Sequence, residues 1–241
     1  MSTNPANQPL TLEMIDLLTV DAASFQRIRN ELLEVQNSAM VGAHEGDLSA
    51  ESEAYTQALF DPSVDWSYCT VALSRHQGRP VAFVLGRVRP YTHQGRDVDL
   101  FYMTTFTDHA WTGRDLTTTG FRRVALGYGI RRALFARRPG YYVGLCMTPF
   151  TYGFAHRRAR GLMPSPDHEP SPWMRSLYHE LFGDRLNADG LVVEPRAGRL
   201  DDRQRARLAR TASPAVRWFL QRNPNFDQGY GLPLLVPCTG W

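Results

Sequence analysis

The stretch FTDHAWTGRDLTTTGFRR, residues Phe106 to Arg123, joins a strand-like run, VDLFYMTTF, to an arginine-rich segment of helical character. A strand–glycine turn–helix junction of this kind can hold an anion, because the first turn of a helix carries unsatisfied N–H donors and a partial positive charge. Gly113 supplies the turn, and Arg114 adds a guanidinium suited to bidentate phosphate contact. Asp115 competes for the same donors. Thr112 as helix cap with Asp115 as its third-position partner is the alternative, a capping arrangement that only starts a helix. Just before the turn, His109 offers an imidazole, a side chain able to accept or donate a proton, set against the plainer role of a solvated loop histidine.

Other reactive side chains are sparser. Cys69, Cys146 and Cys238 lie far apart and show no ligand or redox spacing, so they read as small core residues in a reducing compartment, and no metal is expected. Cys146 as an acyl-accepting nucleophile lacks any adjacent His/Asp arrangement. The net charge is only +3 and all 27 basic residues are arginine. The pairs 122/123, 131/132 and 137/138 could mark a nucleic-acid surface, but at about 100° per residue they spread over several helix faces. No stacking aromatics accompany them, which points to solvated helix instead. No run approaches the roughly 18 apolar residues of a membrane span, and the first residues lack a signal-peptide pattern, so a cytoplasmic protein is expected.

The elements that must position these residues are set by periodicity. Residues 1–9 read as a flexible tail and residues 10–241 as a single domain. LTLEMIDLLT gives a strand. Asp21 then caps a helix in which Phe25, Ile28, Leu32 and Val35 recur at helical spacing. A second helix is expected in LSAESEAYTQALF, capped by Asp47 or Ser49 and stopped at Asp61-Pro62. WSYCTVALS, PVAFVLGRVRP and VDLFYMTTF form an antiparallel meander, with glycine-bearing turns of hairpin length between them. Leu116 to Arg138 reads as helix despite Gly120, Gly127 and Gly129, each costing about 1 kcal/mol relative to Ala. YYVGLCMT is the next strand and Thr151 to Arg160 the next helix. WMRSLYHELF, DDRQRARLA and SPAVRWFLQR come next as helices, the last with Ser213 as cap and Pro214 at the first position; GLVVEP and LPLLVPC are the closing strands.

This order, a mixed, mostly antiparallel central sheet flanked by helices (α/β, α+β), resembles the GNAT fold of acyl-CoA-dependent N-acyltransferases, with an added helical insertion before the last strand. In that family the fourth strand ends in a loop of the type Arg/Gln-x-x-Gly-x-Gly/Ala that holds the coenzyme A pyrophosphate. AWTGRDL matches it in part: Gly113 stands at the first glycine, Ala110 at the basic or amide position and Asp115 at the second small residue. The resemblance implies a donor site formed by Met103, Thr105, Phe106, Trp111, Thr112, Gly113, Arg114, Asp115 and Leu116. It implies a backbone oxyanion donor within Met103 to Thr107, a base in His109 or Asp99, and an acid in Tyr152. Asp99 is otherwise a strand-end carboxylate, and Tyr152 otherwise packs a helix on the sheet.

The function so implied is transfer of an acyl group from a CoA thioester, acetyl-CoA or longer, or from an acyl carrier protein, to the amine of a small molecule. Two other classes stay open: a GNAT-like protein that binds an acyl thioester or small molecule without transfer, and an arginine-rich nucleic-acid-binding module. The aromatic-rich later half either covers the sheet or walls an acyl pocket.

Overall fold

Strand β2 (Tyr68–His76) is buried at its first seven residues in succession, so both of its faces must be covered. On one face Val71 and Leu73, with Phe83 and Leu85 of β3 (Arg79–His93), pack against Ile28, Leu32 and Val35 of helix α1 (Ala22–Met40). On the other, helix α2 (Leu116–Phe135) lies so close that a Cβ added at Gly120 would meet Val84 Cγ2 at 3.1 Å and Ala72 Cβ at 3.2 Å. The Tyr68 hydroxyl donates to the Val124 carbonyl of that helix at 3.0 Å. Gly120 therefore trades helix propensity for close approach to the sheet. The Asp21 cap expected for α1 is present, its Oδ1 accepting from the Ser24 N–H at 2.8 Å.

The computed structural model describes residues 10–40, 57–61, 63–111, 116–135, 138–167, 169–193, 202–210 and 213–238. Residues 1–9, read as a tail, and most of the second expected helix, with its caps Asp47 and Ser49, lie outside them; residues 57–59 are helical. The remaining elements are β1 (Leu10–Asp16), β4 (Arg96–Thr107), β5 (Gly140–Cys146), α3 (Pro149–Arg158), α4 (Pro172–Phe182), β6 (Val192–Val193), α5 (Asp202–Ala209), α6 (Pro214–Arg222) and β7 (Tyr230–Pro237). They form a mixed α/β arrangement whose seven-stranded sheet runs β1-β2-β3-β4-β5-β7-β6. Pairing is antiparallel for β1–β2, β2–β3, β5–β7 and β6–β7, and parallel for β4–β5.

Both meander turns are two residues long and pass through the left-handed region. Gln77-Gly78 has φ of 52° and 82°, and Gln94-Gly95 has φ of 49° and 73°. Two successive positive φ values are the type I′ geometry, which matches the twist of the flanking strands. Helix α3 starts two residues before the expected Thr151, because Pro149 fits its first turn and the Thr148 hydroxyl accepts from the Thr151 N–H at 3.2 Å. Ser213 stands at the cap position of α6, but its side chain makes no capping hydrogen bond there.

Contacts divide the chain into two compact units. The first comprises Met1–Pro90 with Met103–Arg137, and the second Tyr91–Tyr102 with Arg138–Trp241. In the second, alternation along β7 sends Leu232, Leu234 and Val236 to a cluster with Tyr152 and Phe219, and Leu235 to the opposite face with Val143, Leu177 and Phe182. The aromatic supply of the later half is thus spent largely on covering both faces of β5 and β7. No helix among the described residues is long and apolar enough to cross a membrane.

Candidate functional site

Strand β4 changes character halfway. Val98 to Phe101 are buried, whereas every side chain from Tyr102 to Thr107 is partly or fully exposed, Thr105 most of all. The parallel ladder to β5 runs only from Asp99↔Gly140 to Tyr102↔Val143, so Met103 to Thr107 lie past its last pair. Phe106 sets its ring 5.5 Å from that of Phe83 and joins the α1-side cluster. By alternation Met103 and Thr105 belong to the other face, the one on which α2 lies.

Asp108 organises the turn at the end of β4. Its N–H donates to the Val81 carbonyl at 2.9 Å, its Oδ1 accepts from the Ala110 N–H at 2.9 Å, and its carbonyl accepts from the Trp111 N–H at 2.8 Å. Arg79 donates to the buried carboxylate through Nη2 at 3.3 Å. The result is a short 3-10 turn over His109–Trp111. His109 and Ala110 are exposed on it, and Trp111 rests against the His76 ring at 4.6 Å. Asp108 is absent from the residues the sequence singles out. The available signal was local: an Asp followed two residues later by a free N–H favours a side-chain-closed turn.

Of the expected donor-site residues, Met103, Thr105, Phe106, Trp111 and Leu116 belong to this strand, turn and helix start. Thr112, Gly113, Arg114 and Asp115 lie outside the described residues. Helix α2 carries four arginines and no carboxylate, with Arg122 and Arg123 exposed in its first half. The open half of β4 thus leads towards the start of a helix whose described residues, 116–135, carry no carboxylate.

The three expected proton-transfer groups are placed differently from one another. His109 is exposed. Asp99 is 8% exposed and its N–H donates to the Pro139 carbonyl at 2.9 Å. Tyr152 is 0% exposed, its hydroxyl donating to the Pro164 carbonyl at 3.0 Å and its ring 5.2 Å from that of Trp218. Burial pushes this phenol well above the usual tyrosine range. Cys146 is likewise buried; burial pushes its thiol up to about 12, and its Sγ donates to the Thr148 carbonyl at 3.3 Å.

The second unit holds a polar constellation that the sequence does not single out. His93, 2% exposed, meets the Glu180 carboxylate through Nδ1, and the Tyr91 hydroxyl donates to the other oxygen of the same carboxylate. The hydrogen bond from Tyr91, then that from His93, holds the Glu180 carboxyl below its ordinary range. The Trp173 ring sits 5.3 Å from that of His93, and Arg96 lies over the same indole at 5.6 Å. The group fastens the β3–β4 turn to α4.

No family model matches the chain, and no curated protein matches it. Solved structures that it resembles include a ribosomal-protein-alanine N-acetyltransferase from Brucella melitensis biovar Abortus 2308, 14% identical over 51% of this chain and 74% of that one, with a TM-score of 0.32. An acyl-CoA N-acyltransferase from Pseudomonas aeruginosa aligns at 12% identity over 62% and 86%, with a TM-score of 0.37. A GNAT family acetyltransferase from Brucella melitensis in complex with acetyl-CoA aligns at 15% identity over 67% and 93%, with a TM-score of 0.39. These are distant likenesses of arrangement, and the functional reading rests on this chain's own residues.

Proposed function

We propose that this chain is an N-acyltransferase that moves an acyl group from a CoA or carrier-protein thioester directly to the amine of a small molecule. The observation that carries the reading is the opening of β4: a central strand of the sheet becomes solvent-accessible past its last ladder pair with β5, immediately before α2. In this reading a backbone N–H within Met103 to Thr107 receives the developing oxyanion. The start of α2, with the segment at residues 112–115, takes the phosphates. The amine, freed of its ammonium proton by His109, attacks the thioester carbonyl; the C–N bond forms, the C–S bond breaks, the nitrogen gives up its extra proton, and the departing thiolate takes one up. His109 is preferred as base because Asp99, the other candidate, is buried. A cytoplasmic setting suits Cys69, Cys146 and Cys238, none of which is in a disulfide.

A second reading, a protein that binds an acyl thioester without transfer, is favoured by the burial of Tyr152 and the engagement of its hydroxyl. Thiol release from acetyl-CoA and longer acyl-CoA, measured over a panel of small amines, separates the two. Amine-dependent release that falls about 100-fold in His109→Ala supports transfer with His109 as base. Binding without release over the whole panel supports the second reading. Absence of both binding and release, with carrier-protein thioesters included, contradicts both.

A further inference from the structure

Helix α2 is apolar on two sides. Its inner side, with Gly120, Val124 and Tyr128, is buried against the sheet. Its outer side carries Leu126 at 63%, Ile130 at 52% and Leu134 at 68% relative exposure. These three recur every four residues, a row about 12 Å long on one face. At about 100° per residue, exposed Arg122 and Arg123 fall within the same sector, roughly 120° wide. The whole helix, LTTTGFRRVALGYGIRRALF, has four arginines and no aspartate or glutamate. Isolated exposed aliphatic residues are ordinary on protein surfaces; a row of three with two guanidinium groups at its end suits a partner that is both anionic and apolar.

We propose that the outer face of α2 docks on an anionic lipid surface, with Leu126, Ile130 and Leu134 entering the acyl-chain boundary and Arg122 and Arg123 meeting lipid phosphates. Charge complementarity selects this occupant. A second copy of the same face would bring further arginines and no carboxylate of α2 to meet them. Nucleic acid would satisfy the arginines but leave the aliphatic row without base-stacking rings to offer. A helix lying in the plane of a lipid interface buries apolar side chains by about 5–10 Å and draws nearby basic residues to phosphate; on α2 the aliphatic row would enter, with Arg122 and Arg123 at its N-terminal end left for the phosphates. The proposal concerns peripheral contact and is independent of whether the chain transfers acyl groups.

The test is co-sedimentation of the full chain with vesicles of phosphatidylcholine alone and of equal parts phosphatidylcholine and phosphatidylglycerol. The expected result is binding to the anionic vesicles, weakened by salt, with little binding to the neutral ones. The triple variant Leu126→Ser, Ile130→Ser and Leu134→Ser changes only exposed positions and should keep the wild-type Tm while weakening binding about tenfold or more. The double variant Arg122→Gln and Arg123→Gln should weaken it by about 30-fold, roughly fivefold for each arginine. Equal binding to both vesicle types, binding undiminished in the two variants, or no vesicle binding would overturn the proposal. Loss of vesicle binding in favour of a concentration-dependent dimer by light scattering, or of salt-sensitive binding to duplex DNA alone, would overturn it as well.

Discussion

The same tetrapeptide, His-Gln-Gly-Arg, closes both hairpins of the meander, at His76–Arg79 and at His93–Arg96. The two turns have nearly the same backbone, with positive φ at Gln and Gly in each. Their side chains lead different lives. His76 is partly exposed against Trp111, and Arg79 reaches Glu34 and Asp108. His93 is buried against Trp173 and tied to Glu180, while Arg96 lies over the same indole. Local sequence sets the turn, and the helix or loop packed over it sets what the histidine does. A four-residue motif is therefore a statement about backbone and not about chemistry.

Breaking the histidines should separate the two hairpins most. His93→Ala removes a buried ring packed on Trp173 and leaves Glu180 with Tyr91 alone, so a loss of about 2–4 kcal/mol is expected, against about 1 kcal/mol or less for His76→Ala. Denaturant unfolding of the two variants measures the gap; equal losses would mean that burial at the second hairpin contributes nothing special. Gly78→Ala and Gly95→Ala should instead behave alike, each costing about 1–2 kcal/mol, because both sit at positive φ with open space around the added Cβ. A difference between them would show that the turns are not equivalent in backbone.

The smallest effect is in pH dependence. Glu180 is held below the ordinary glutamate value by Tyr91 and His93. A carboxyl lowered in the folded state stabilises above its unfolded value, near pH 4.3, and that stabilisation is lost as pH falls through the lower folded value. Unfolding midpoints measured from neutrality down to about pH 3 should therefore drop more steeply for wild type than for Glu180→Gln. Parallel curves would show that the carboxylate does not respond to its two donors.

Much of the fold was legible because it rests on local signals. The α1 stripe of Phe25, Ile28, Leu32 and Val35, the glycine turns and the Pro214 start of α6 each dictate an element with little help from elsewhere. The site was less legible. Asp108 matters because of Val81 and Arg79, which are 27 and 29 residues away in sequence, and His93 matters because of Glu180, 87 residues away. Tyr152 shows the converse: its position after the fifth strand allowed either an acid or a packing residue, and only tertiary contacts with Trp218, Phe219 and Pro164 distinguish the surroundings. Gly120 was counted as a weakness of α2, although the close approach to Ala72 and Val84 that it permits appears only across the sheet.

The central claim, that the opened end of β4 and the start of α2 hold an acyl thioester, is tested most directly by titration calorimetry of acetyl-CoA into the wild-type chain and Gly113→Val, with Tm recorded for both. Saturable binding by wild type that is lost in Gly113→Val at unchanged Tm is the predicted result. No binding of acetyl-CoA or a carrier-protein thioester by wild type, or a variant that loses Tm and affinity together, would contradict it.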